Sequence, residues 1–257
     1  MFKYLIYFLI YLCASLNKAY SEDKHSLTIL APQNMSYALT EIIREYSKTN
    51  NTPLTGSFNL ISNLVDDILE GESADIIITD HSDWITSLKQ KGLISVTSIS
   101  NLVEDKLVLV ANKDFYTLNN NVFVGLADEQ DKKDFYQKFT IFIPNWTHDM
   151  AGVYTHEALK NLPYLFNSYN NIIEVEDTIE ELSQINDALA IARYTESYDN
   201  VAINIIETID TKLHQRFIYQ IAAIAGENME QAEKFITYIK SDSALNILKK
   251  YGFKILE

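Results

Sequence analysis

The chain has 257 residues, of which 47% are hydrophobic and only four are proline, which suits one large domain or two of ordinary size. Its 35 acidic and 21 basic residues give a formal net charge of −14, which argues against nucleic acid and anionic membrane surfaces as partners. The only cysteine, Cys13, lies near the N-terminus, so thiol catalysis is excluded once that segment is removed.

Residues 1–21 form a predicted secretory signal peptide. Lys3 gives a short positive start, residues 4–16 are an almost unbroken apolar run, and residues 19–21 (AYS) fit the small-x-small cleavage pattern. A lipoprotein signal at Cys13 is the alternative, but bulky residues precede this cysteine where such a signal needs small ones. We therefore expect a periplasmic protein that is stabilised by its core rather than by disulfides.

The first predicted unit is a strand, a tight turn and a helix. Residues 27–30 form a β-branched and aliphatic run typical of a buried parallel strand, and Pro32 ends it because proline has no N–H for a ladder. From Met35 to Tyr46 apolar residues recur at the helical period. Asn34 has the chemistry of an N-cap, so this helix N-terminus is a candidate anion seat; the alternative is that Asn34 is only a cap.

The same alternation continues along the chain and predicts βαβ units with a parallel sheet. Gly71 and Gly92 stand where helices are expected to end. Between residues 112 and 134 the pattern weakens and predicts a loop or a short element. No Gly/Ser-rich linker occurs in the sequence. If the chain forms two lobes, we therefore expect the second lobe to be inserted into the first through strands rather than joined to it by a flexible linker. The further predicted strands are 53–59, 74–79, 106–111, 139–143, 172–175, 188–192 and 217–225.

Motifs for catalysis are missing from the sequence. It has no G-x-S-x-G, no P-loop and no G-x-G-x-x-G, and its five histidines lack the spacing of a zinc site. We therefore expect no enzyme activity, no metal and no cofactor. Residues 178–181 (TIEE) match a capping box and predict a helix N-terminus at Thr178.

Six segments, taken in order, resemble the periplasmic molybdate-binding proteins of ABC importers. They cover nearly the whole chain after residue 21 and include a strand–turn–helix start, a Trp-containing helix and a Lys-Tyr-Gly-Phe close. The segments are LTILAPQNMSYAL (27–39), GSFNLISNL (56–64), ADIIITDHSDWITSLKQKGLI (74–94), EDKLVLVANKD (104–114), MAGVYTHEAL (150–159) and FITYIKSDSALNILKKYGFKI (235–255).

This resemblance implies an α/β chain with the bilobed type II periplasmic-binding fold, in which two crossover segments join two α/β lobes. Lobe I is expected at residues 22–109 and 219–257, and lobe II at residues 110–218. The crossovers are expected near Val108–Ala111 and Phe217–Ala222. The implied function is capture of a small tetrahedral oxyanion, molybdate or tungstate, by hinge closure and delivery to an inner-membrane ABC permease. We expect a monomer.

In lobe I the resemblance carries two serine donors of the family onto other residue types. The first falls on Asn34, whose amide can still donate a hydrogen bond. The second falls on Ile61, which offers only its backbone N–H; Ser62 substitutes for it if the turn shifts by one residue.

In lobe II the resemblance implies backbone N–H donors at Ala151 and Thr178. The family's tyrosine falls on Arg193, or on Tyr194 if the strand end shifts by one residue. An arginine would bring a positive charge that the family does without.

Each position also has a purely structural interpretation. Ile61 can be plain core, Thr178 a helix cap, Arg193 a solvated surface charge and Tyr194 a packed tyrosine. The second functional hypothesis follows from Asn34 and these positions: a protein that keeps the fold but has altered or lost anion binding, serving another small ligand or a protein partner.

Overall fold

The computed structural model describes residues 26–50, 52–126, 128–166 and 171–256. The predicted signal peptide at residues 1–21, with the alternative lipidation site at Cys13, lies outside the described residues. No helix within these described ranges is both long and apolar enough to cross a membrane.

Strands and helices alternate along most of the chain, as the apolar pattern predicts, but the pattern does not predict the strands Ser100–Glu104, Ile203–Thr208 and Lys254–Ile255. The strands are β1 (Leu27–Pro32), β2 (Leu54–Asn59), β3 (Ile76–Thr79), β4 (Ser100–Glu104), β5 (Leu107–Asn112), β6 (Thr140–Pro144), β7 (Ile172–Val175), β8 (Ala188–Arg193), β9 (Ile203–Thr208), β10 (Ile218–Ala223) and β11 (Lys254–Ile255).

Most helices follow a strand directly. They are α1 (Ser36–Asn50), α2 (Ile61–Glu70), α3 (Ser82–Gln90), α4 (Lys113–Gly125), α5 (Glu129–Tyr136), α6 (Met150–Lys160), α7 (Pro163–Phe166), α8 (Thr178–Gln184), α9 (Tyr194–Ser197), α10 (Met229–Ile239) and α11 (Asp242–Lys250). Gly71 is the C-cap of helix α2, and its φ of 90° is a left-handed conformation that glycine adopts at little cost.

The strands form two sheets, one in each lobe. The first sheet has the order β11-β4-β10-β3-β1-β2 and the second the order β7-β6-β8-β5-β9. Strand β1 runs parallel to β2 and β3, and β6 runs parallel to β7 and β8. Strands β10 and β5, which follow the crossovers, pair antiparallel with their neighbours. Each sheet is therefore mixed, whereas the sequence pattern predicts a parallel sheet.

The chain passes between the sheets at two short segments. It leaves the first sheet after Glu104 and enters the second at Leu107, so this crossover precedes the expected segment Val108–Ala111. Residues 106–111 form one apolar run in the sequence, and nothing local marks which sheet such a run joins. The return crossover occupies residues 209–217, and the Asp105 N–H donates to the Phe217 carbonyl at 2.9 Å.

The segment from 112 to 134, predicted as a loop or short element, contains the helices α4 and α5. The side chain of Asn112 caps α4 by accepting from the Phe115 N–H at 2.8 Å, and Asp128 caps α5. Phe115 and Phe139 pack edge to face at 4.9 Å between ring centroids. Tertiary aromatic packing therefore holds helices whose own apolar periodicity is weak.

Candidate functional site

A cleft lies between the two sheets, where the strands of both lobes end. Its cavity has a volume of about 730 Å³ and is lined from lobe I by the turns after β1, β2 and β3. From lobe II it is lined by the segments after β6, β7 and β8. Ligands of open α/β sheets bind at this edge because parallel strands direct their following turns to it.

Asn34 lines the cleft, but it does not cap a helix. It lies in a short 3-10 turn, Gln33–Met35, that precedes α1. Its amide Nδ2 donates to Thr195 Oγ1 at 2.9 Å and to Tyr219 Oη at 2.7 Å. The predicted amide donor is therefore already engaged, and it ties lobe I to the start of α9.

Helix α2 begins at the cleft with its N-terminus open. Ile61 is 4% exposed and belongs to the core cluster of this lobe, although it also lines the cavity. Leu60 is the N-cap residue and its apolar side chain caps none of the first-turn N–H groups, while Asn59 Oδ1 accepts from the Leu60 N–H at 2.8 Å. Ser62 follows in the first turn but is not part of the cavity lining.

The two lobe II helices at the cleft begin on aspartates. The Asp149 carboxylate accepts from the Ala151 N–H at 2.9 Å, and Ala151 itself is fully buried. Asp177 accepts from the N–H groups of Ile179 and Glu180, both at 2.9 Å. The cap of α8 is thus Asp177 and not Thr178, because the carboxylate one residue earlier reaches both free donors.

Arg193 lines the cleft and is 7% exposed, so it is not a solvated surface charge. Its Nη1 donates to Asp149 at 2.9 Å and to Glu196 at 3.1 Å, while Nη2 donates to Asp80 at 3.2 Å and also to Asp149. Asp80 follows β3 of lobe I, so the guanidinium joins the two lobes. Of its five N–H donors, only Nε–H is buried without a partner among the described residues.

Tyr194 lies away from this cleft. The Lys106 ammonium lies over its ring, 4.0 Å from the centroid, in a cation–π contact. Tyr194 lines a separate cavity of about 350 Å³ beside the first crossover. The residue at the strand end that reaches the cleft is therefore Arg193.

The cluster around Arg193 shifts the proton affinity of its members. Burial raises the pKa of Asp80 to about 6 and that of Glu196 to about 7, although Arg193 counteracts both shifts. Burial also raises the pKa of Asp105 to about 6, against the hydrogen bond from Thr195. Burial disfavours the charged guanidinium of Arg193, but Asp149 and Glu196 outweigh it and hold its pKa above the ordinary value. One cation thus faces three carboxylates.

Carboxylates dominate the cleft as a whole. Among the described residues that line it, six are acidic and two, Arg193 and Lys250, are basic; the acids are Asp80, Asp149, Glu176, Asp177, Glu196 and Asp199. The Lys250 ammonium is already paired with Glu41 at 2.7 Å. Nowhere in the described ranges do three or more His, Cys, Asp or Glu side chains form a group that could hold a metal ion.

Sequence reasoning missed all six of these carboxylates. Asp80, Asp149 and Asp177 stand shortly after a strand and before a helix, which is the place where a cleft residue is expected. That signal was available, but an aspartate there is read first as a helix cap.

Comparison with known proteins shows which family model the chain matches and which proteins have a similar sequence. Residues 27–254 match the family model for bacterial extracellular solute-binding proteins. The chain is 24% identical over 241 residues to the molybdate-binding protein ModA of Escherichia coli, covering 91% of this chain and 90% of that protein. It is 26% identical over 239 residues to the corresponding protein of Haemophilus influenzae, covering 88% and 89%.

Solved structures show the same fold. The substrate-binding domain of a putative molybdenum ABC transporter from Clostridium difficile superposes with a TM-score of 0.75 at 22% identity, covering 90% of this chain and 99% of that one. The predicted resemblance and the predicted bilobed fold are thereby confirmed.

Proposed function

Because this chain belongs to the family of bacterial extracellular solute-binding proteins, we propose that it captures one small solute between its lobes and delivers it to an ABC permease of the inner membrane. The observation that carries the proposal is the cavity of about 730 Å³ at the strand ends of both sheets. Passage to the periplasm through the predicted signal at residues 1–21 belongs to the same proposal.

Capture proceeds by closure of the lobes about the two crossovers. These segments are short and lie side by side, since Asp105 N–H bonds to the Phe217 carbonyl at 2.9 Å. Contacts between Arg193 and Asp80, and between Asn34 and Thr195, span the lobes beside the cavity. A solute that contacts both lobes favours the closed form, which the permease then recognises.

One candidate ligand is a tetrahedral oxyanion such as molybdate or tungstate. It is supported by the names of the relatives and by the open N-terminus of α2, where N–H groups and the helix dipole favour an anion. The Arg193 guanidinium adds a positive charge to the lining of the cleft.

The second candidate is a different solute, and the cleft geometry favours it. Asp149 and Asp177 already occupy the helix N-termini of lobe II that would otherwise receive the anion. Arg193 is surrounded by three carboxylates, so a dianion in contact with it meets an excess of negative charge. We therefore propose altered rather than inherited ligand chemistry.

Calorimetric titration with molybdate, tungstate and sulfate, followed by small-angle scattering, tests both candidates. The altered-ligand proposal expects no measurable heat with these three dianions at pH 7.5. Micromolar or tighter binding of molybdate with compaction of the protein would instead select the oxyanion. A protein that neither binds any small solute nor becomes more compact would contradict solute capture itself.

A further inference from the structure

We propose that the solute captured by this cleft is a small organic cation that carries at least one protonated amine. This inference rests on the proposed function, because it names the ligand class of the same cleft.

The charge of the cleft is the first reason. Six acidic and two basic side chains line it. Of the two basic ones, Lys250 is paired with Glu41, and Arg193 is paired with three of the six acids. Three further acids, Glu176, Asp177 and Asp199, are exposed on the lobe II side. A cleft lined mostly by one sign of charge raises the local concentration of the opposite ion.

Unsatisfied acceptors are the second and independent reason. Asn34 Oδ1 and Asp80 Oδ1 are buried and have no hydrogen-bond partner within the part of the chain that the structure describes. Both residues line the cavity, and Asp80 is only 2% exposed. Buried polar atoms are normally paired, so these two oxygens indicate a missing donor, while the Arg193 Nε–H is the one unpaired buried side-chain donor among the described lining residues and indicates a single acceptor. An ammonium group brings three donors, whereas an oxyanion such as molybdate brings none.

The orientation of the Asn34 amide follows from its neighbours. Thr195 Oγ1 donates its hydrogen to Asp105 Oδ2 at 2.6 Å, so it must accept in its 2.9 Å contact with Asn34. The amide nitrogen therefore faces Thr195 and Tyr219, which leaves the amide oxygen as the free acceptor.

The size and the aromatic lining point to an organic cation rather than a bare ion. A cavity of about 730 Å³ far exceeds the roughly 30 Å³ that one water occupies in the liquid. Tyr37 and Tyr198, which are 77% and 41% exposed, line it together with Tyr251. Exposed tyrosine faces attract organic ammonium groups through their ring quadrupoles.

The ionisation of the cluster gives the proposal a direction with pH. Five titratable groups face Arg193: Asp80 after β3, Asp149 before α6, Glu196 on α9, Asp105 in the first crossover and Tyr219 on β10. The Tyr154 hydroxyl donates to the Asp80 backbone carbonyl, and His148 lines the same cavity. Raising the pH from 5 to 8 ionises Asp80 and Glu196, so amine affinity is expected to increase over this range. Binding of an oxyanion would change in the opposite direction.

The test is titration calorimetry of the purified protein with the amines putrescine and spermidine, in parallel with molybdate, at pH 5.5 and 8; tetramethylammonium, a cation without N–H donors, is the control and is expected to bind more weakly than the amines. We expect at least one amine to bind at pH 8, to bind more weakly at pH 5.5, and to lose affinity in high salt. The same titrations are repeated with Zn²⁺ and with Fe³⁺ in place of the amine.

Variants locate the binding. Asp80→Asn is expected to weaken amine binding by about 30-fold or more, as loss of a buried charged partner does. Asp199→Asn and Glu176→Gln should each weaken it by about two- to fivefold. Asp199 has a φ of 58°, which asparagine also adopts, so this variant keeps the fold even if Asp80→Asn does not. The matched control is Glu230→Gln, which removes an exposed carboxylate on α10 outside the cavity lining and should leave the affinity unchanged.

The outcomes separate this inference from the proposed function. Binding of molybdate or a metal ion without binding of any amine would overturn the amine inference and leave solute capture intact. Amine binding that Asp199→Asn, Glu176→Gln and Glu230→Gln weaken equally would also overturn it, because the amine would then not occupy the cleft. If no solute of any class binds, both proposals fail.

Discussion

Helix α2 of the first lobe and helices α6 and α8 of the second all begin at the cleft, but they begin differently. At α2 the N-cap residue is Leu60, whose apolar side chain accepts no hydrogen bond from the first turn. At α6 and α8 the caps are Asp149 and Asp177. The α2 end therefore leaves its first-turn N–H groups without a side-chain acceptor, while the α6 and α8 ends carry carboxylates that neutralise their own helix dipoles.

This difference shows that a shared fold does not fix the ligand. The strands place helix N-termini at the cleft in both lobes, which is a property of the fold. A single side chain at each N-cap then decides whether that place attracts or repels an anion. Arg193 does not make lobe II attractive to an anion, because its charge is already paired with Asp80, Asp149 and Glu196.

The largest expected effect comes from removing the cation that joins the lobes. Arg193→Ala leaves three carboxylates without their partner, and we expect a loss of about 3–5 kcal/mol in the free energy of unfolding. The control is Arg44→Ala, whose ion pair with Glu45 is exposed and should contribute about 1 kcal/mol or less. Urea unfolding of both variants measures the difference, and equal small losses would show that the buried cluster does not need its cation.

A smaller effect is expected where α6 packs against the segment that follows β6. A Cβ at Gly152 would lie 2.5 Å from the Pro144 carbonyl oxygen and 2.6 Å from Trp146 Cα, which are backbone atoms that cannot move aside alone. Gly152→Ala is therefore expected to cost about 1–3 kcal/mol in unfolding free energy.

Gly125→Ala is the matched control, since a Cβ there meets no atom of the described residues within 4 Å. It should be neutral or stabilise the protein by about 0.4–1 kcal/mol. Thermal unfolding of the two variants side by side gives the comparison, and a Gly152→Ala protein as stable as the parent would contradict the tight packing.

Exchanging the caps tests the comparison of the lobes most directly. Asp177→Ala should cost about 1 kcal/mol, because Ile179 and Glu180 lose their side-chain acceptor. Leu60→Asp should stabilise α2 by about 0.5 kcal/mol through a new cap and a favourable charge at its N-terminus. Opposite signs of the two changes in chemical denaturation are the expected result; a destabilising Leu60→Asp would show that Leu60 matters more for packing.

The last prediction concerns the slope of stability against pH. Burial raises the pKa of Asp80 from 3.8 to about 6 and that of Glu196 from 4.5 to about 7. The folded state therefore binds more protons than the unfolded state between about pH 4 and 7, so the free energy of unfolding should fall as the pH rises through this window. The double variant Asp80→Asn with Glu196→Gln should reduce the slope between pH 5 and 7.5, leaving the part that Asp105 contributes, and an unchanged slope would mean that other groups dominate it.

Much of the fold could be predicted because it is encoded locally. Residues 27–30 and 76–79 are apolar runs that form buried strands in any sheet, and Gly71 marks a helix end through its own conformational freedom. The helices α4 and α5 could not be predicted, since their stability comes from aromatic contacts with residues distant in sequence, such as that of Phe115 with Phe139. Helix caps were predicted one residue off at Thr178 because two neighbouring residues can both cap, and geometry chooses between them.

The sequence by itself determined eight of the eleven described strands, the family resemblance and the edge of the sheets at which a ligand site must lie. Only the tertiary structure decided what stands in that site. Arg193 meets Asp149 across 44 residues of chain and Asp80 across 113. Whether a charge is solvated or neutralised depends on its neighbours in space, and no local pattern records them.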